Sequence, residues 1–138
     1  MTATKELTDQ EYRALAEFRH ALRVFLRFSE EAARAEGLSP NQHQLLLGIR
    51  GWAGPTAPTI GDLAEVLQLR HHSTVELVHR AEAAGLVRAH RDPKDRRRQL
   101  LELTDDGRDR LATLTRQHRD ELRRFRTQLA HVLVALDD

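Results

Sequence analysis

Residues 60 to 107 read IGDLAEVLQLRHHSTVELVHRAEAAGLVRAHRDPKDRRRQLLELTDDG, and the hydrophobic period changes within them. Thr59 and Asp62 form a capping pair for a short helix carrying Leu63, Ala64 and Leu67. Leu69 closes a turn into a second helix. There Thr74, Leu77, Val78 and Ala81 recur at i, i+3, i+4 and i+7 and share one face. At Leu86 the period shortens. Strands over about 86–90 and 99–103 flank Asp92-Pro93-Lys94-Asp95, where Pro93 and the two aspartates suit a turn, and Leu101 and Leu103 alternate inward. Thr104 starts another helix. Two helices, a tight turn and a basic hairpin are the layout of a winged helix-turn-helix, so the expected fold class is mainly α with a small β-hairpin wing.

The motifs are specific enough to suggest a family. Asp95-Arg96-Arg97 followed by Leu101, Leu103, Thr104 and Gly107 resembles the wing pattern D-R-R-x-x-x-L-x-L-T-x-x-G of the MarR family of bacterial transcription regulators. Leu63-Ala64-Glu65, then Thr74, Leu77, Val78, Arg80 and Glu82, then Gly85-Leu86-Val87 match that family's two-helix unit without a gap. The layout is similar over the whole chain, whereas the specific motifs lie between residues 59 and 107.

Charge is distributed as a phosphate-contacting element requires. Of an overall formal charge of +1, residues 88–98 hold six cations (Arg88, Arg91, Lys94, Arg96, Arg97, Arg98) against Asp92 and Asp95, a net of +4, which leaves about −3 elsewhere. Positive potential is confined to one hairpin, and the remainder avoids indiscriminate attraction to polyanions. With 138 residues, 40% of them hydrophobic, the chain is long enough for one modest domain with a core. It contains no cysteine, which excludes disulfides and thiolate-based sensing. It has no long apolar run, and Met1-Thr2-Ala3-Thr4-Lys5-Glu6 lacks the basic-then-apolar layout of an export signal, so a cytoplasmic protein is expected.

Outward from the lobe, both flanks read as long helices. Thr8 and Glu11 make a capping box, after which Tyr12, Leu15, Phe18, Leu22, Phe25 and Leu26 recur at helical spacing until Gly37 supplies a stop. Ser39-Pro40 starts a second helix whose buried side is Leu45, Leu46, Ile49 and Trp52, and Gly54-Pro55-Thr56-Ala57-Pro58 breaks it. After Thr104, Leu111, Leu114, His118, Leu122, Phe125, Leu129, Val132 and Leu136 fall at intervals of three or four. Such a stripe needs a partner surface: the first helix, a second copy of the chain, or both. The expected organisation is one domain over 1–138, with a winged lobe at about 39–107 and flanking helices at about 8–36 and 108–136. Resemblance to the MarR family implies that those flanking helices interdigitate in a homodimer.

The second helix of the lobe turns its outer face toward a groove. Arg70, His71, His72 and Ser73 sit at its start, where side chains reach base edges and phosphates, and Val75, Glu76 and His79 follow. Val75 suits a thymine methyl. Glu76 can accept from cytosine N4 or pair with Arg80 at i, i+4, and both readings stay open. In the wing, Lys94, Asp95, Arg96, Arg97 and Arg98 are the candidate DNA contacts. The resemblance implies that Arg97 enters the minor groove and that Asp95 orients it, and a guanidinium suits the negative potential of a narrow A·T-rich groove.

The resemblance also implies a small effector, commonly anionic and aromatic or phenolic, held between the dimer helices and the DNA-binding lobe. The candidates are Phe25, Phe28, His43, Leu47, Arg50 and Trp52. Eight histidines raise a zinc-responsive alternative, but His71, His72 and His79 lie on or beside the reading helix and His20, His43, His118 and His131 are scattered, so no metal site and no cofactor is assigned. No nucleophile elbow, phosphate loop or paired carboxylates mark an enzyme. The reading is therefore a homodimeric repressor on an inverted-repeat operator, released by a small effector. The alternatives are a zinc regulator or a winged-helix module for protein or RNA contacts.

Overall fold

A computed structural model describes residues 3–136; Met1 and Thr2 of the opening stretch read above lie outside the described residues. The elements are α1 (Asp9–Ala35), α2 (Pro40–Arg50), α3 (Ile60–Leu67), α4 (His71–Ala83), β1 (Val87–Arg91), β2 (Gln99–Leu103) and α5 (Asp105–Leu136). They form two compact units, residues 33–115 and the helical segments on either side. The boundary thus falls inside α1 and α5 rather than at their inner ends. Among the described residues no helix is long and apolar enough to cross a membrane.

Helix ends follow the capping chemistry of the sequence. The Thr8–Glu11 box closes with Thr8 N–H donating to Glu11 Oε2 at 2.7 Å and Glu11 N–H to Thr8 Oγ1 at 3.2 Å. Ser39 with Gln42, and Thr59 with Asp62, make reciprocal boxes at the starts of α2 and α3. Each such cap contributes about 1 kcal/mol. Gly37 and Gly85 stop α1 and α4 in the left-handed region, at φ +80° and +75°. The N–H of Leu38 bonds Ala33 O, and that of Leu86 bonds Ala81 O, each at 2.9 Å, so both ends are Schellman caps.

The winged unit packs α2, α3 and α4 against one another and against the hairpin. Its core is Leu45, Leu46, Leu63, Val78, Leu86, Leu101 and Leu114, all but inaccessible, with Thr74 buried beside them and its hydroxyl donating to Arg70 O at 3.0 Å. Strand β1 pairs with β2 antiparallel, Ala89 opposite Leu101 and Val87 opposite Leu103. Leu101 N–H turns away from β1 to bond Pro58 O at 2.9 Å, which ties the loop before α3 to the sheet.

In the helical unit, α1 and α5 meet through aromatic rings. Phe25 lies 5.5 Å from Phe125 and 6.0 Å from His118, centroid to centroid, and Phe28 lies 5.3 Å from His118. His118 Nε2 is 2.7 Å from the buried Ser29 Oγ. The inward face of α1 differs from the expected stripe. Ala14 and Ala21 are buried and Phe18 and Phe25 half-buried, whereas Tyr12, Leu15 and Leu26 point to solvent. Small residues complete the covered face because they let the helix approach its neighbour closely, and a count of large apolar residues overlooks them. On α5, Leu122 and Leu136 are likewise exposed while Val132 is buried. Leu77 of α4 is half-buried, and Trp52, also half-buried, lies beyond the end of α2 rather than on its buried side.

Candidate nucleic-acid interface

Helix α4 presents a polar face made by its own register. Thr74, Val78 and Ala81 are buried, which leaves His71, His72, Glu76, His79 and Arg80 exposed and Ser73 and Val75 at the margin. Arg70 is the N-cap, extended at φ −66° and ψ 151°, and its side chain makes no capping hydrogen bond. Arg70 is exposed beside a helix start whose first N–H groups favour anions. No ion pair within 4 Å joins Glu76 to Arg80 among the described residues, so the intrahelical pairing left open by the spacing is not formed.

The wing is a tight network around two carboxylates. Asp92 is only 7% exposed, accepts Lys94 N–H at 2.9 Å, and donates its own N–H to Arg98 O at 2.9 Å. Arg98 Nη1 stands 3.9 Å from its Oδ2. Asp95 closes the tip. Its Oδ1 accepts Arg97 N–H at 3.1 Å and Arg97 Nε at 3.2 Å, and its own carbonyl accepts Arg98 N–H at 3.0 Å. The Arg97 side chain, then its backbone N–H, hold the Asp95 carboxyl below its usual 3.8; desolvation opposes this, and the Arg98 charge assists it. Arg97 is nevertheless 92% exposed, so it is aimed without being covered. Lys94, Arg96 and Arg98 are also exposed, and Arg91 Nη1 donates to Arg96 O at 3.1 Å to stiffen the turn.

One junction sets the wing relative to α4. Thr104 donates its N–H to Leu86 O at 3.0 Å and its hydroxyl to Gly85 O at 2.6 Å, and Oγ1 also accepts Gly107 N–H at 3.1 Å. A Cβ at Gly107 would collide with the Leu86 carbonyl. The Thr-x-x-Gly of the wing motif is thus a spacer that lets the start of α5 lie against the end of α4.

The six effector candidates divide between the units. Phe25 and Phe28 belong to the helical unit, half-buried against the rings described above. His43, Leu47, Arg50 and Trp52 belong to the winged unit. There His43 is buried with Gln44 Nε2 3.4 Å from its Nδ1, and Leu47 and Arg50 are exposed. Trp52 lines a groove of about 300 Å³ with Arg50, Pro58, Glu102, Leu103 and Arg108. Sequence reasoning missed Arg108 because it lies far along the chain from Trp52, and missed the buried role of Asp92, for which the Asp-Pro-Lys turn was the available signal. Among the described residues no three His, Asp or Glu side chains converge as a metal ion would need.

Comparison with known proteins agrees with this architecture. The sequence pattern of the MarR family matches residues 36–98. The solved structure of AbsC, a MarR family transcriptional regulator from Streptomyces coelicolor, is 25% identical and superposes with a TM-score of 0.73 over 91% of this chain and 84% of its own. The S. aureus MepR–DNA complex, 19% identical, has a TM-score of 0.70 over 89% and 85%. Bordetella bronchiseptica BpsR, whose DNA binding is regulated by 6-hydroxynicotinic acid, is 20% identical with a TM-score of 0.64 over 87% and 95%. No curated protein matches the chain in sequence. The wing motif, the fold and the family pattern agree: residues 36–98 match the MarR family, and the chain shares the winged-helix fold of solved MarR family regulators.

Proposed function

We propose that the chain is a homodimeric repressor that reads an inverted-repeat operator through α4 and the wing and leaves it when a small anionic aromatic effector binds. The observation that carries the DNA reading is Arg97, fully presented to solvent and held in one orientation by Asp95. A planar cation that is already oriented loses less conformational freedom on entering a narrow minor groove. Arg70, His71, His72, Ser73, Val75, Glu76 and His79 then address the major groove, and Lys94, Arg96 and Arg98 the phosphates. A second copy related by a two-fold axis brings two α4 helices to successive major grooves, so half-sites are expected about one turn, ~10 bp, apart.

Effector release is supported by BpsR, a protein of the same fold regulated by an aromatic acid. A hundredfold preference for a dimer with misaligned reading helices supplies about 2.7 kcal/mol, enough to release a moderately tight complex. The test is selection of duplexes from random DNA, followed by titration of the selected complex with aromatic acids. An inverted repeat, bound with a steep salt dependence, is the expected result. Binding to RNA or protein with no duplex preference would contradict the reading.

A further inference from the structure

Helix α4 carries three of the chain's eight histidines, and all three are exposed. With Thr74, Val78 and Ala81 buried, the register turns His72, Glu76 and His79 to the opposite side at i, i+4 and i+7, and His71 opens the first turn. The permanent charges beside them are Arg70, Arg80 and Glu76, a net of +1. Three imidazoles can therefore add more positive charge to this face than it carries permanently.

Nothing in the winged unit engages these rings. None of the three has an ion-pair or hydrogen-bond partner among the described residues. Of the elements packed on α4, α2 and β1 bring Arg50, Arg88, Arg91, His90 and the buried His43, and no carboxylate. Helix α3 brings Asp62, whose Oδ2 accepts Thr59 N–H at 3.0 Å, and Glu65, whose Oε1 lies 3.3 Å from Gln68 Nε2. Both are engaged at the ends of their own helix. On α4 itself, Glu76 stands between His72 and His79 in the outward stripe, and Glu82 is in the last turn.

A neutral imidazole donates from one ring nitrogen and presents a lone pair at the other, whereas the protonated ring donates from both. Phosphate oxygens and the N7 and O6 atoms of guanine are all acceptors. A groove lined with acceptors and negative charge thus favours the protonated ring, and an ordinary imidazole exchanges that proton at about pH 6.5.

We propose that operator binding is proton-linked: His71, His72 and His79 take up protons as α4 enters the groove, so affinity rises as pH falls through neutrality. The proposal rests on the reading of α4 as the major-groove helix. Its sign follows from linkage. The complex holds more protons than the separate protein and DNA, so each proton taken up strengthens binding about tenfold for each pH unit lowered. The Asp95 carboxyl, held below 3.8, stays ionised over this range and adds nothing to the slope.

Fluorescence anisotropy with the selected duplex, at pH 6, 7 and 8 and constant ionic strength, measures the slope. Calorimetry in two buffers of different ionisation enthalpy counts the protons. The parent is expected to gain roughly tenfold or more in affinity from pH 8 to pH 6, with net proton uptake. Its salt slope should be steeper at pH 6, by ~0.9 for each ring that meets a phosphate. The triple variant His71→Gln, His72→Gln, His79→Gln keeps a neutral donor at each position and should lose both slope and uptake while still binding duplex at pH 8. His72→Lys with His79→Lys carries the charge permanently and should bind at pH 8 more tightly than the parent does, with a shallower slope. All these positions are exposed, so helicity should be unchanged. His90→Gln, which removes the imidazole 3.8 Å from Glu102 in the hairpin, should keep the parental slope. The proposal is overturned by a parental slope in the triple variant, by calorimetry without proton uptake, or by a slope that vanishes with His90→Gln instead. Tight duplex binding that is equal at pH 6 and pH 8 refutes proton linkage and leaves α4 as the reading helix. Absence of any duplex preference at either pH refutes the reading of α4 itself.

Discussion

Arg97 and Asp95 concentrate the most testable chemistry into a single pair. Because Arg97 is 92% exposed, its removal should cost the free protein little, whereas on DNA it would remove the proposed groove contact. Arg97→Ala is expected to weaken operator binding by about 1–3 kcal/mol and to lower the salt slope by about one, with the thermal midpoint nearly unchanged. Asp95→Ala should act in the same direction through loss of orientation. Fluorescence anisotropy across a salt series measures both, and parental affinity in either variant would refute the wing assignment. The same pair fixes a pH dependence. The folded-state pKa of Asp95 is depressed, chiefly by the Arg97 side chain. Its favourable interaction is therefore fully present above the ordinary carboxylate value and is lost only as pH falls through the lowered one. A carboxyl-detected NMR titration should place the Asp95 midpoint below 3.8, and operator affinity should show no contribution from this group between about pH 5 and 8. Both residues were legible in sequence because the D-R-R motif is local. Asp92 was legible only as a turn residue, since its burial depends on the hairpin closing over it.

At the scale of elements, capping chemistry and hydrophobic period were enough to locate the helices and the hairpin, because each signal acts within four residues of its target. Thr8, Ser39 and Thr59 each cap as their spacing requires, and the switch to a two-residue period at Leu86 marks the wing. The faces of α1 were harder to read. Tyr12, Leu15 and Leu26 share a helical face with Phe18 and Leu22 in sequence, yet the covered side is completed by Ala14 and Ala21, which only a partner helix can select. Gly107 shows the same limit. It was visible as a motif residue, but the Leu86 carbonyl against it comes from another element. Gly107→Ala should therefore cost about 1–3 kcal/mol by overpacking, because the obstacle is backbone rather than a movable side chain. Gly85→Ala, with open space around a Cβ but φ of +75°, should cost about 1–2 kcal/mol through conformation alone. Thermal unfolding of the two variants checks this. A neutral Gly107→Ala would mean that α5 and the end of α4 separate more easily than the Thr104 hydrogen bonds indicate.

For the whole molecule, the decisive feature is apolar surface that the chain does not cover by itself. Tyr12, Leu15, Val24 and Leu26 of α1, and Leu122, Leu133 and Val134 of α5, are between 46% and 72% exposed, and all belong to the helical unit. Isolated apolar residues on a surface are ordinary, but this many on two helices of one small unit are what the proposed homodimer would cover. In the proposed homodimer a second copy would supply the same residues in return, and its two-fold symmetry would match an inverted repeat on DNA. Sequence alone left the partner of the α5 stripe open. The chain's own packing takes part of it, through Phe125 against Phe18 and Phe25, and leaves the rest exposed, where the proposed second copy would cover it. Sedimentation at micromolar concentration should therefore find a dimer. Leu133→Asp with Val134→Asp places two carboxylates in the proposed apolar contact, at a cost of about 2 kcal/mol or more for each, and should yield monomers. Those monomers should keep the winged unit folded and bind a single half-site weakly, while losing the preference for two half-sites one turn apart. A parental chain that sediments as a folded monomer, or a double variant that still favours the full inverted repeat, would require the two reading helices to be brought together by something other than α1 and α5.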